Sequence, residues 1–401
     1  MKGRIQTVLG ALRSEGRGSI LLTVSFGWLL AFGVRLVFPA LLPYIRDTFD
    51  LGLTMAGFLL TVLWIAYAIG QVPGGVLSDQ YGPRNTLVVS ALLTTIGVIA
   101  LSVSFDVRVF FVATLLAGIG SGLFAPARYT VLSDVYSDLA STAHGITEAS
   151  GNLGATVLPV IAGIVATYIG WQFGFGFLIP FFALVIVALW FTIPRQTATV
   201  SADTSGKWIA SVRQVFRGVL RRPTLLAAGA MLCMSFLYQS LTGFYPTYLV
   251  DVKGLEEGTA AMLFGLFFAV AVVIQPAIGL ISDQFGYVPV LVTVITATVA
   301  AIVVLPITSG FLPLAGLTIV LGLQQGFWPV IHAHVLTHLP TEIQGSGLGL
   351  IRTVFILLAA SGPTITGAIA DVSSFDGAFL VLAGFGAVAA VLCLVLPPAA
   401  N

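Results

Sequence analysis

The stretch GGVLSDQYG at residues 74–82 returns as IGLISDQFG at residues 278–286, 204 positions further along the chain. Each copy follows a long apolar run and ends in a glycine. The same offset relates residues well beyond the phrase: Gln71 and Gln275, Pro159 and Pro363, Gly163 and Gly367. The chain therefore contains an internal repeat, and the phrase marks one equivalent turn in each copy.

The composition is that of a membrane protein. Hydrophobic residues make up 58% of the 401 residues and charged residues only 8%, whereas soluble domains carry about 25% charged residues. The net charge of +1, without a basic tract that has interleaved aromatic residues, argues against a nucleic-acid partner. No hydrolase elbow, zinc-protease motif or phosphate loop occurs, so we expect neither an enzyme nor a bound cofactor.

Twelve apolar runs are long enough to cross a membrane as helices, each needing about 20 residues. We predict an all-α fold of two six-helix bundles, with an N-terminal segment at 1–18, bundles at 19–193 and 224–397, and a linker with a basic amphipathic helix at 194–223. An even number of spans in each copy makes the repeat parallel, an arrangement found in transporters.

Lys and Arg residues predict the orientation, because cytoplasmic loops carry an excess of them. On this layout twelve, including Arg84 and Arg128, lie on the side of the termini, and three, Arg46, Arg108 and Lys253, lie on the other. We therefore expect a multi-pass protein of the cell membrane with both termini in the cytoplasm.

Residues 67–87, YAIGQVPGGVLSDQYGPRNTL, resemble the signature between the second and third helices of the major facilitator superfamily, and AIGLISDQFG resembles its second copy. The resemblance covers nearly the whole chain. It implies a carrier of twelve helices that works by alternating access, with helices 1, 4, 7 and 10 lining a central cavity.

The repeated phrase predicts a gate on the cytoplasmic side. Asp79 and Asp283 can face the positive ends of helices in the opposite bundle, and Arg84 can form a charge cluster with Asp79 and Asp134. Gly75, Gly82 and Gly279 would permit close helix approach and a tight reversal. The alternative is that the carboxylates are solvated loop charges.

Arg35 lies near the middle of the first span, where a charged group is costly and usually functional. Its planar donor fork fits a carboxylate or phosphate, so a substrate anion is the expected partner. The alternative is a structural pair with a carboxylate such as Glu148.

The anion:cation symporter branch of the superfamily typically has a first-helix Arg, a second-helix Tyr and then Gln-x-Pro-Gly-Gly. Arg35, Tyr67 and Gln71 are similar to that pattern. The branch usually carries acidic residues where this chain has Val34 and Ser121, and those carboxylates are its proton carriers. Symport through them is therefore not expected here.

Glu148 and Arg352 are related by the repeat and lie about one turn into spans 5 and 11. Glu148 is the only carboxylate that we assign to a span, and desolvation favours the protonated form of such a group. We predict that Glu148 couples transport to protons and that Arg352 contacts substrate. Both residues could instead cap helix ends near the interface.

The remaining candidates for substrate contact are neutral polar residues on expected cavity helices: Tyr238, Gln239, Gln324, Gln325 and Asn152. Buried amides also commonly bond neighbouring helices. Gly118 and Gly122 form a small-xxx-small pair that indicates helix packing. His334 and His338 have the i, i+4 spacing of metal ligands, but no Glu joins them and we expect no metal.

The sequence thus predicts a secondary transporter of a small carboxylate-type organic anion, coupled to a proton or sodium ion or to exchange. It would act as a monomer in the lipid bilayer. An alternative is a proton-coupled exporter of amphiphilic compounds. GATVLPVIAG at 154–163 partly matches a phrase that is typical of such exporters, although Leu158 stands where the phrase has a second Gly. The fourth-helix Arg common in those exporters is missing, and Thr114 lies near the equivalent position.

Overall fold

The computed structural model describes residues 17–136, 139–195, 222–338 and 344–397. These residues form helices joined by short turns, with no strand among them. Twelve helical segments are long and apolar enough to cross a membrane, which confirms the predicted twelve-span fold. The basic part of the linker and most of the N-terminal segment lie outside the described residues.

The first six spans are α1 (Arg17–Phe49), α2 (Leu53–Tyr81), α3 (Pro83–Ser102), α4 (Val107–Val135), α5 (Ala140–Tyr168) and α6 (Trp171–Gly176 with Ile179–Thr192). The second six are α7 (Arg222–Asp251), α8 (Glu257–Phe285), α9 (Tyr287–Val304), α10 (Phe311–Gly322 with Phe327–His338), α11 (Gln344–Ala359 with Gly362–Val372) and α12 (Phe375–Leu394).

The repeated phrase ends a long helix in each copy and turns the chain into the next. Gly82 follows α2 with φ 84°, and Gly286 follows α8 with φ 85°, a backbone region that favours glycine. This confirms the predicted tight reversal. The expected close approach at Gly75 and Gly279 is wrong for the described residues, because a Cβ at either position would have no neighbour within 4 Å.

The described helices group into two compact units. The first lies within Met1–Tyr44 and Val62–Val200, and the second within Ile45–Thr61 and Ser201–Asn401. The division into bundles at 19–193 and 224–397 remains a prediction. The difference concerns residues 45–61, the end of α1 and the start of α2, which group with the later helices.

In the first unit, glycines bring helix backbones into contact. A Cβ at Gly154 of α5 would lie 2.2 Å from the Leu29 carbonyl oxygen of α1. A Cβ on Gly122 of α4 would lie 2.3 Å from the Tyr67 carbonyl oxygen, and one on Gly118 would lie 2.6 Å from the Ala66 Cβ. The packing role predicted for Gly118 and Gly122 is confirmed.

In the second unit, two tyrosines of α7 hydrogen bond to the neighbouring helices α10 and α12. The Tyr245 hydroxyl lies 2.5 Å from the Thr318 hydroxyl of α10, and the Tyr248 hydroxyl donates to Asp376 of α12 at 2.6 Å. The helix α10 is interrupted by a 3₁₀ turn at Leu323–Gly326, a feature often found at functional positions.

Candidate functional site

Arg35 is buried in α1, with 2% of its surface exposed. Its guanidinium carbon lies 3.7 Å from the ring centre of Tyr67, 4.8 Å from Phe32, 5.4 Å from Trp64 and 5.7 Å from Trp28. Rings at these distances stabilise a cation through their quadrupoles. Nε donates to the Ala31 carbonyl oxygen at 3.3 Å. Arg35 and Tyr67, which the sequence interpretation names as parts of one motif, are therefore in contact.

Spacing along two helices builds this aromatic cage. Trp28, Phe32 and Arg35 follow one face of α1 at intervals of four and three residues, and Trp64 and Tyr67 follow one face of α2 at an interval of three. The sequence interpretation identified Tyr67 but missed the other three rings. The i, i+4, i+7 pattern ending at Arg35 was the signal that could have identified Trp28 and Phe32.

A second arginine lies on the same tryptophan. The Arg128 guanidinium carbon of α4 is 3.7 Å from the Trp28 ring centre and 4.3 Å from that of Tyr129. Its side chain is only 2% exposed. The assignment of Arg128 to the side of the termini stays a prediction; in the structure the residue lies inside α4, which continues to Val135. Packing against Trp28 and pairing with Glu148 allow the burial.

Glu148 of α5 is the partner of Arg128. Arg128 Nη2 lies 2.5 Å from Glu148 Oε1 and donates to the Tyr129 hydroxyl at 2.9 Å, while that hydroxyl donates to Glu148 at 2.7 Å. The glutamate side chain is 47% exposed. Glu148 is therefore bonded to an arginine that the sequence interpretation had not considered as a partner, and its role in coupling stays a prediction.

Several buried donors around Trp28 have no acceptor within the described part of the chain. They are Nε and Nη1 of Arg128 and the indole Nε1 of Trp28. Buried N–H groups without an acceptor are costly, typically about 1–3 kcal/mol each. These three groups would suit a ligand that accepts hydrogen bonds. Asn152, half-buried, lies one turn after Glu148 on the same face of α5.

In the second unit, Gln239 occupies the position that the repeat relates to Arg35. It is 3% exposed, its Nε2 donates to the Ile356 carbonyl oxygen at 3.5 Å, and its Oε1 has no donor among the described residues. Gln325 is buried in the 3₁₀ turn of α10, and its carbonyl oxygen accepts from Gln275 at 3.3 Å. Tyr238 packs edge-on against Trp328.

The other predicted residues lie at the surface. Arg352 is exposed on α11, and Asp79, Asp134 and Asp283 are exposed at the ends of α2, α4 and α8. Asp79 and Asp134 form no ion pair with Arg84, whose guanidinium lies 4.4 Å from the Trp190 ring centre. The charge cluster is therefore absent among the described residues, because the cation–π contact holds Arg84 against α6. The gating role of these residues stays a prediction.

The comparisons with known proteins agree with this architecture. A family model described as Major Facilitator Superfamily matches residues 23–273 and 254–401. The hexuronate transporter of Bacillus subtilis (strain 168) is 24% identical, covering 87% of both chains. The fosmidomycin resistance protein of Escherichia coli (strain K12) is 25% identical, covering 96% of this chain and 95% of its own.

A solved structure shares the fold. The bacterial homologue of the human lysosomal transporter Spinster, in an inward-facing and occupied conformation, superposes with a TM-score of 0.78 at 15% identity over 95% of this chain and 96% of its own. With the twelve spans and the repeated turn, the family match identifies a transport protein and not an enzyme. The chain belongs to the Major Facilitator Superfamily.

Proposed function

We propose that this transporter carries a small organic anion by alternating access and that Arg35 is the main contact of the anion. The observation that carries the proposal is the guanidinium of Arg35, 2% exposed inside a cage of four aromatic rings. An arginine at such depth is retained mainly where it serves a pathway or a ligand. Its fork matches a carboxylate with two parallel hydrogen bonds.

The charge inside the cage favours an anionic substrate over a neutral sugar. The four rings stabilise the positive charge of the guanidinium without neutralising it. A carboxylate bound to Arg35 would lie close to Tyr67, whose ring centre is 3.7 Å from the guanidinium carbon. The relative that transports hexuronate, as its name states, is consistent with a carboxylate substrate.

We further propose that transport is coupled to a proton through Glu148 or runs as exchange. Glu148 is ionisable and 47% exposed, and it is hydrogen bonded to a buried cation. Tyr67, Asn152, Tyr238, Gln239, Gln325 and Arg352 remain proposed substrate contacts, and the protein is proposed to act as a monomer.

The alternative is an exporter of amphiphilic compounds. The relative that confers fosmidomycin resistance supports it, and aromatic rings such as Trp28 and Trp64 also suit an apolar ligand body. The two functions differ in the charge that the site must accept.

Counterflow in proteoliposomes of the purified protein separates the two. We expect accumulation of a labelled carboxylate from a panel that includes glucuronate, lactate and succinate, and none of ethidium. Protein-free liposomes correct for leakage. Counterflow of ethidium without any carboxylate would reject the anion proposal and leave the exporter.

A further inference from the structure

Arg35 and Arg128 meet one indole ring. Their guanidinium carbons lie 5.7 and 3.7 Å from the Trp28 ring centre, and these two distances add to 9.4 Å, the greatest separation the two carbons can have. The aromatic ring stabilises both cations without neutralising either. Two fixed positive groups this close together form one site for negative charge.

The two members of the Arg128–Glu148 pair are held very differently. Arg128 is 2% exposed and packed between Trp28 and Tyr129, whereas Glu148 is 47% exposed. An arginine fixed by rings cannot follow the glutamate if the latter turns toward water. Separation of the pair would thus leave the guanidinium in place with its donors available.

The donors already exceed what Glu148 uses. Arg128 donates two hydrogen bonds, both from Nη2. Its Nε and Nη1 have no acceptor in the described part of the chain, and Nε1 of Trp28 has none there either. Arg128 and Tyr129 both bond the same oxygen atom of Glu148, Oε1. A ligand carboxylate could instead use two nitrogen atoms of the fork.

We propose that Arg128, assisted by Trp28 Nε1, is a second anion-binding arm of the site and that Glu148 is a built-in counter-ion which the substrate displaces. The favoured substrate is then a compact dianion, with one negative group on Arg35 and the other on Arg128. This inference rests on the proposed function, because it takes Arg35 as the contact of the first group.

Displacement has a defined proton balance. When the displaced Glu148 binds a proton from solvent on a carboxylate oxygen, one dianion enters with one proton; when it stays ionised, the dianion enters without one. Arg128 and Tyr129 of α4 face Glu148, and the Trp28 ring of α1 packs on Arg128. His144, one turn earlier on α5, packs on Tyr129 at 4.9 Å and bonds Ser133 through Nε2.

The test compares succinate with butyrate, two four-carbon acids that differ in one negative group, on the purified full-length protein by titration calorimetry. We expect the wild type to bind succinate more tightly. Arg128→Gln should weaken succinate roughly 10- to 100-fold, the scale of a lost charge-assisted hydrogen bond, and leave butyrate unchanged. Glu148→Gln should tighten succinate several-fold and flatten its pH dependence.

Two control variants each remove one arginine or one glutamate charge at a position away from the proposed site. Arg108→Gln removes an exposed arginine from the start of α4, and Glu256→Gln removes an exposed glutamate before α8. Both should leave the succinate-to-butyrate ratio at the wild-type value. If Arg128→Gln does not fold, Arg128→Lys keeps the charge without the fork and should lower the ratio by a smaller factor.

Three outcomes would overturn the inference. An unchanged ratio in folded Arg128→Gln or Arg128→Lys would remove the second arm. Weaker or unchanged succinate binding in Glu148→Gln would make the pair structural. If the wild type binds both acids equally and loses both in Arg35→Gln, only this inference fails, whereas failure to bind any carboxylate rejects the proposed function as well.

Discussion

At the scale of single residues, Arg35 is the side chain on which binding should depend most. We expect Arg35→Lys to weaken anion binding by roughly 1–3 kcal/mol, because the ammonium keeps the charge but loses the planar fork. Arg35→Gln should abolish binding, since no cation then faces the first anionic group. Calorimetry with the best carboxylate of the counterflow panel measures both effects.

The control for Arg35 is Arg84, which also contacts an aromatic ring, at 4.4 Å from Trp190, but lies in the first turn of α3. Arg84→Gln should leave the binding constant unchanged, whatever it does to transport. Normal binding and transport by Arg35→Gln would contradict the proposed function, as would a substrate that proves to be a cation.

Single residues also show where sequence reasoning stopped. Arg35 could be found because one charge in a long apolar run is conspicuous. Arg128 could not, because it lies near the predicted end of a span, where a loop charge and a buried charge have the same sequence signature. Only the fold reveals that Trp28, a hundred residues earlier in the chain, covers it at 3.7 Å.

At the scale of elements, the start of α2 is held by a carboxylate from α11. Asp371 accepts from the backbone N–H groups of Leu53 at 3.1 Å and Thr54 at 2.8 Å, and from the Thr54 hydroxyl at 2.6 Å. A carboxylate here satisfies free donors and complements the helix dipole. Under the proposed alternating access, this cap must break whenever these two helix ends separate.

We expect Asp371→Asn to weaken that contact by about 1 kcal/mol, since the charge on the helix end is lost. A cysteine placed at buried Leu60, in a variant without Cys233 and Cys393, should then react faster with a membrane-impermeant maleimide. Asp106→Asn is the control, because Asp106 caps α4 through its own neighbours Arg108 and Val109. Equal labelling rates in both variants would show that the Asp371 cap does not hold the start of α2 against α11.

Packing of α1 on α5 positions Trp28 for both arginines. A Cβ at Gly154 would meet the Leu29 backbone at 2.2 Å, so Gly154→Ala must push the helices apart. We expect a loss of roughly 1–3 kcal/mol of stability and weaker anion binding, measured by thermal unfolding and calorimetry. Gly384→Ala in α12, where a Cβ would have no neighbour within 4 Å, should change neither. An equally stable Gly154→Ala would refute the assigned close packing.

The membrane-spanning helices were the part of the structure that the sequence predicted best. The apolar runs and the glycine turns located all twelve spans, since length and hydropathy decide what crosses a membrane. The interruption of α10 at Leu323–Gly326 was not predicted. Gly322 and Gly326 on either side of the two glutamines weaken a helix locally, but many transmembrane helices tolerate glycine, so the change to 3₁₀ geometry could not be read from the sequence.

At the scale of the whole molecule, the repeat makes the two halves similar in fold but unequal in charge. The position equivalent to Arg128 is His332, and the one equivalent to Glu148 is Arg352. The first half thus combines a fixed cation with an exposed carboxylate, whereas the second supplies neutral Gln239 where the first has Arg35. If transport is proton-coupled as proposed, this inequality favours a coupling group in the first half.

The last prediction follows from that assignment. Glu148→Gln removes the proton-accepting group while leaving Arg35 and Arg128 in place. Uptake driven by an imposed pH gradient should therefore be abolished, whereas substrate exchange without a gradient should persist, because binding and the conformational cycle of the loaded carrier need no proton at this position. Both rates are measured in the same proteoliposomes, with Glu256→Gln as the control that should keep both.

A Glu148→Gln carrier that still responds to the pH gradient would remove this residue from the coupling mechanism. Loss of both activities would instead indicate that the ion pair is needed to hold α4 on α5, and the melting temperature of the variant would then fall. Loss of gradient-driven uptake alone is the result that only a coupling role produces, since a structural defect impairs exchange and uptake alike.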